Sequence, residues 1–302
     1  MVNSSKKKKK PSGAPTTLIV QGASLNLGRA GMPAPDSIVE VRTLRPGAAA
    51  PSSPTLTAAP SGAPAGRTFR IIRTNEVDSY EQGASPQGTA LALAASAKKA
   101  GKKSSKKSSK KSSKKAADKD SFKGTARKAA KLSLSAAPIK NYKDVRSLIN
   151  TLPSHDDMVG LNISKGATSN RVAEEERNVR LKTFLYAASR EDDNDFHLIL
   201  GRDPSATPEV YMTMELSGLP PQSQPAFAKL KAARDAYKTF FGNDLPGTSY
   251  DFYDPPIPVT IEGSLFWDAS HAMGSRPGPQ SLKSRMPVVW EVHPISKIVF
   301  KP

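Results

Sequence analysis

Phe196-His197-Leu198-Ile199-Leu200, and after it Val210-Tyr211-Met212-Thr213-Met214-Glu215-Leu216, is the stretch that decides how this chain folds. Phe196, Leu198 and Leu200 alternate with His197 and Ile199, and Val210, Met212, Met214 and Leu216 alternate with Tyr211, Thr213 and Glu215. Apolar residues at every second position mark strands that bury one face. Working outward, Val179 to Ser189 reads as a strand before this pair, and two further strands follow Gly242. One places Val259, Ile261, Leu265 and Trp267 on a shared face, and the other runs from Pro287 to Phe300. Pro294 lacks an N–H for the ladder, so it predicts a bulge or a free edge at that point. The connections Arg190 to Asn194 and Asp203 to Pro208 are rich in turn residues. Between the third and fourth strands the period changes to helical. Ser223 reads as the cap, Pro225 sits in the first turn, and Phe227, Leu230, Tyr237 and Phe241 recur before Gly242 ends the helix.

The order strand, strand, strand, helix, strand, strand resembles the OB-fold, a five-stranded Greek-key barrel with a helix between strands three and four. The fold class expected is therefore mostly β with one main helix: a small OB-like five-stranded barrel after a long disordered basic amino-terminal region. A plain α+β sandwich is the alternative. The phrases Gly263-Ser264-Leu265-Phe266-Trp267-Asp268, His271 and Trp290-Glu291-Val292-His293-Pro294 also resemble uncharacterised bacterial proteins that end in a similar W-E-x-H-P segment. That family has no settled activity, so the resemblance implies no catalytic residues.

The amino-terminal part is a different physical object. Residues 1–138 hold 19 lysines and 7 arginines against 7 acids, a net of +19, whereas residues 139–302 carry a net of −1. Lys6 to Lys10 is a run of lysines, and residues 98–115 alternate Lys-Lys with Ser-Ser. Like charges repel, and nothing apolar is present to offset the entropy of ordering, so this stretch is expected to be disordered. In composition alone it resembles the lysine-rich tails of linker histones and bacterial histone-like proteins. Lys98, Lys99, Lys102, Lys103, Lys106, Lys107, Lys110, Lys111, Lys114 and Lys115 are the candidate nucleic-acid-binding residues. They would hold phosphate backbones by counterion release, without reading bases. No aromatic residue is interleaved with them, so base stacking is not on offer.

The expected organisation follows from these shifts in composition: a basic disordered tail over 1–15, a small β segment over 16–82 and a disordered Lys/Ser-rich linker over 83–138. A short helix with its connector then occupies 139–177, and the barrel 178–302. Within this scheme Thr17 to Val20, Ser37 to Leu44 and Thr68 to Arg73 look like short strands, Ala90 to Ala100 extends a weak helix, and Asn141 caps a helix running to Leu152.

Cysteine is absent, which excludes disulfide scaffolds, thiolate zinc sites and cysteine nucleophiles. No apolar run is long enough to span a membrane, and no apolar segment follows the basic terminus to make a secretory signal. The expected location is cytoplasmic, with nucleoid association as a consequence of the arm. No Walker A sequence, G-x-S-x-G elbow or dinucleotide fingerprint occurs, which favours a binding module without a cofactor over an enzyme. Three groups of residues qualify that reading. His271, His293 and Glu291 (or Asp268) form a candidate divalent-metal site, and with it a metal-dependent hydrolase is the alternative function. Glu191, Asp192, Asp193 and Asp195 form an acidic cluster on the first hairpin loop, open to a cation or to the lysine arm, and repellent to phosphate. Arg276, Lys283 and Arg285 make the loop from Ser270 to Met286 a candidate anion-binding segment. A third possibility is an interaction protein whose basic arm docks on an acidic partner.

Overall fold

The alternation read above becomes strand pairing in the computed structural model, which describes residues 16–19, 36–42, 68–78, 119–271 and 276–301. Those residues are mostly β with one main helix. The strands are β1 (Thr16–Ile19), β2 (Ser37–Arg42), β3 (Thr68–Arg73), β4 (Ile139–Tyr142), β5 (Asn178–Arg190), β6 (Phe196–Gly201), β7 (Tyr211–Leu216), β8 (Asp251–Trp267) and β9 (Trp290–Phe300). The helices are α1 (Lys128–Lys131), α2 (Val145–Ile149), α3 (His155–Gly160) and α4 (Phe227–Phe241).

Strands β5 to β9 pair in a closed circuit: β5 with β6, β6 with β7, β7 with β9, β9 with β8, and β8 back with β5. All these pairs are antiparallel except β7 with β9, which run parallel and meet at Met214 opposite Val292. Closure removes free edges from the central strands. The inner faces supply the core, with Leu181, Leu198, Leu200, Met212, Met214, Ile261, Leu265 and Val292 all fully buried. Helix α4 lays Leu230, Ala233, Tyr237 and Phe241 on this core, and Phe240 stacks on Phe300 of β9 with centroids 3.8 Å apart. Pro294 lies in β9 where the β8–β9 register shifts on either side of Gly263, which is the irregularity its missing N–H predicts.

Several details differ from the sequence reading. Ser223 does not cap α4: a turn bonded from Gln224 N–H to Pro221 carbonyl consumes it, and the cap position falls on Ala226 with no side-chain bond. Asn141 is not a helix cap either. It lies in β4, paired in parallel with Arg180, and α2 starts only after Asp144, whose carboxylate accepts from Ser147 N–H at 2.8 Å in a reciprocal capping box. The three amino-terminal strands do not stand apart, because β3 pairs with the start of β8, Ile72 facing Phe252. The disordered linker expected over 83–138 does not hold for its described part, 119–138. From 119 onward the chain packs on the sheet: Phe122 N–H donates to Leu219 carbonyl (3.0 Å), and Ala130 is fully buried. The lysines at 6–10 and 98–115, and the helix expected over 90–100, lie outside the described residues.

Candidate metal centre

A strand sends successive side chains to opposite faces, so a core on one side of β6, β7 and β9 leaves a second set on the other. That set is Asp195 and His197 at β6, Thr213 and Glu215 on β7, and Glu291 and His293 on β9. Each is at most 2% exposed, covered by the segment around Lys131 and by Phe266, whose ring lies 5.3 Å from the His293 ring.

Around this floor the contacts divide into paired and unpaired groups. His197 is fully paired: Nδ1 meets Glu191 Oε1 at 2.6 Å, and Nε2 meets Thr213 Oγ1 at 3.2 Å. Burial disfavours its charged form, but the carboxylates of Glu191 and Glu215 outweigh that and push its pKa up to about 10. Asp268 meets His271 Nδ1 at 2.7 Å; burial opposes both charges, yet the pair holds the carboxyl low and the imidazole high. Lys131 brings its ammonium within 3.5 Å of Asp193, and the surrounding Glu215, Asp195, Asp193 and Asp268 raise its pKa well above normal despite burial.

The remaining atoms have no such resolution. Asp195 Oδ1 accepts the Gly218 N–H at 2.5 Å, but Asp195 Oδ2, Glu215 Oε2, both oxygens of Glu291 and both ring nitrogens of His293 are buried with no hydrogen-bond partner. They are nevertheless close together: His293 Nδ1 is 2.7 Å from Glu215 Oε2 and 3.5 Å from Glu291 Oε2, and His293 Nε2 is 3.4 Å from Asp195 Oδ2. Burial, with Asp193 and Glu215 adding repulsion, drives the Asp195 carboxyl far above its ordinary range. Burial, with Glu215 and Asp268, does the same to Glu291, and burial pulls His293 down toward the neutral form that ligates metals.

Three groups of three residues bring possible ligand atoms within 4.8 Å of one another: Asp195, Glu215 and His293; Asp268, His271 and Glu291; and Glu191, His197 and Glu215. Oxygen and imidazole donors in this mixture suit manganese, iron or zinc. A cavity of about 260 Å³ opens above, lined by Asp78, Glu191, Asp192, Asp193, Asp268, Ser270 and His271. His271 also borders a neighbouring, more apolar cleft of about 450 Å³, walled by Leu152, His155, Trp267, Val289 and Trp290.

The structure thus places the residues singled out in the sequence as follows. His271, Glu291 and Asp268 converge, whereas His293 turns to Asp195 and Glu215 and touches the first group only through Glu291. Of the acidic hairpin cluster, Asp195 is fully buried, and Glu191 is committed to His197. Arg285 does not wait for an anion: it is ion-paired with Glu209 and lies over the Tyr211 ring, while Arg276 is exposed beside the apolar cleft and Lys283 is half-buried. The loop carrying them is tied down by Gly278, which donates to Asp78 and adopts φ +98° with Met286 Sδ only 2.3 Å from where a Cβ would stand. Residues 272–275 of that loop lie outside the described residues. Sequence reasoning missed Glu215 and Lys131. A lone carboxylate in an otherwise apolar strand was a usable signal for Glu215; nothing marked Lys131 among so many lysines.

Set beside protein-family models, curated proteins and solved structures, the chain matches none. Among the described residues no helix is long and apolar enough to cross a membrane.

Proposed function

We propose that this chain is a divalent-metal-dependent hydrolase built on an OB-like barrel. The observation that carries this reading is the set of six buried ligand atoms on Asp195, Glu215, Glu291 and His293 that meet no outside hydrogen-bond partner and in part face only one another. Each unsatisfied buried polar group costs about 1–3 kcal/mol, so a fold that gathers six in one place needs a ligand that satisfies them. A divalent cation would take the carboxylate oxygens and one ring nitrogen of His293, and it would also relieve the repulsion among the carboxylates.

The barrel reading is supported by the circuit β5-β6-β7-β9-β8 and by α4 lying between β7 and β8, which is the OB order. In that fold ligands meet the outer face of strands two and three and the loops beside it, here β6, β7, the 191–195 turn and the loop after β8. The cluster lies on this face. When bound, a divalent ion supplies an activated water and polarises a carbonyl or phosphoryl oxygen. The chain's own groups divide the remaining work. Asp268 and His271 stand paired at the cavity mouth, where they would face a substrate; Phe266 excludes water from the floor; the Trp267–Trp290 cleft seats an apolar part of a substrate.

Elemental analysis of the full chain, with release of nitrophenol from nitrophenyl ester and phosphodiester substrates, tests this. Stoichiometric manganese, iron or zinc and an activity lost in EDTA and in Asp195→Asn are expected. A chain that binds no such metal and melts at the same temperature with and without added Mn²⁺ would overturn it.

The charge division of the sequence supports a second element. The ten lysines from Lys98 to Lys115 supply non-specific affinity for DNA or RNA, while the acidic cavity repels phosphate until a cation reverses its sign. Deleting 98–115 from the full chain should flatten the salt dependence of DNA binding; an unchanged slope sinks the arm.

A further inference from the structure

Glu291 is the residue the single-metal reading leaves unfinished. Its carboxylate is fully buried, and both oxygens lack a partner. One cation on one oxygen would leave the other still orphaned. Glu291 also stands between two neighbourhoods: it belongs with Asp268 and His271, while its Oε2 is 3.5 Å from His293, which belongs with Asp195 and Glu215. We propose that the centre is dinuclear, with one cation at Asp195, Glu215 and His293, a second at Asp268 and His271, and Glu291 bridging them.

Charge points the same way. Asp78 is held by the Gly278 N–H and the Tyr250 hydroxyl, and Glu191 is matched by His197. Asp268 is likewise set against His271, which leaves Asp193, Asp195, Glu215 and Glu291 facing the single ammonium of Lys131. With cations bound these carboxyl groups carry an excess of three negative charges, more than one divalent ion offsets. Bridged pairs of cations about 3.5–4 Å apart clamp both the attacking and the leaving oxygen of a displacement. The second position borders the open cavity through Asp268 and His271, so it is the one that meets substrate. His271, His293 and Glu291, grouped from the sequence as one site, are thereby shared between two positions.

This inference rests on the metal reading above, and one titration separates them. Metal-stripped full-length chain is titrated with Mn²⁺ and followed by electron paramagnetic resonance. Two ions per chain with an exchange-coupled spectrum support the bridge. One ion per chain, or two uncoupled ions, overturns the bridge while leaving a metal protein; no binding overturns both. His271→Ala, at the rim and checked for folding by circular dichroism, should retain one ion with an uncoupled six-line spectrum. Retention of two coupled ions in that variant would also overturn the assignment.

Discussion

His293 Nδ1 lies 2.7 Å from Glu215 Oε2, a close contact inside a cluster in which both oxygens of Glu291 have no hydrogen-bond partner. A buried pair elsewhere is more nearly complete. Arg127 gives two bonds to Glu175 (2.6 and 2.7 Å), and Glu175 in turn accepts the N–H groups of Trp267 and Val172. The contrast between this pair and the cluster around Glu291 is what the metal proposal accounts for.

Removing an orphaned carboxylate should therefore stabilise the protein when metal is absent. Glu291→Met is expected to raise metal-free stability by about 1–3 kcal/mol, since the buried partnerless group is gone. In excess Mn²⁺ the order should invert, because only the parent gains binding energy. Thermal unfolding in EDTA and in Mn²⁺ reads both signs; a variant less stable than the parent in EDTA would contradict the argument.

Lys131 occupies the same field as an incoming cation. Lys131→Met should tighten Mn²⁺ binding severalfold, measured by calorimetry, because the ammonium no longer competes for Asp193, Asp195 and Glu215. Weaker binding would mean that Lys131 holds the ligands in place rather than substituting for metal.

The Arg127–Glu175 pair should behave in the opposite way to the cluster. Both side chains are essentially buried, at 3% and 0% exposure. Arg127→Met strands the carboxylate and should cost about 3–5 kcal/mol, with part of it recovered by adding Glu175→Leu, which removes the charge but leaves the Trp267 and Val172 N–H groups without their acceptor. Urea unfolding of the single and double variants decides this; equal losses in both would refute the pairing argument.

Asp251 makes a pH prediction away from the cluster. Burial pushes its carboxyl up to about 7, against the pull of Arg73 and with Asp244 adding to the rise. The unfolded value is about 3.9, so folding takes up a proton between these limits. Its contribution is most favourable below about pH 4, falls as pH rises to about 7, and then levels off. Asp251→Asn should flatten this segment of the stability profile and gain on the order of 2–4 kcal/mol at pH 8. A variant whose melting temperature tracks the parent from pH 4 to 8 would rule it out.

Much of the fold was legible in the chain. Period-two alternation placed β5, β6 and β7 within a residue or two, because each buries one face on a common core and the pattern records that burial directly. Cap chemistry was less legible. Asn141 and Ser223 are competent caps, but the parallel pairing with β5 and the turn at Pro221 claimed them first. The packing of 119–138 was also hidden: the segment looks like more lysine-rich linker, and its burial depends on neighbours more than 40 residues away, such as Glu175, Asp193 and Leu219.

For the site, local sequence determined which residues share a face: His293 with Glu291, His197 with Asp195. Pleating alone dictates that relation, since it needs no neighbour. Which strands lie side by side is a long-range matter. Only the closing of β7 against β9 brought Glu215 to His293, and only the covering segment shut water out. Solvent would have satisfied every one of those oxygens and nitrogens; their burial by tertiary packing is what turned ordinary polar side chains into a cluster.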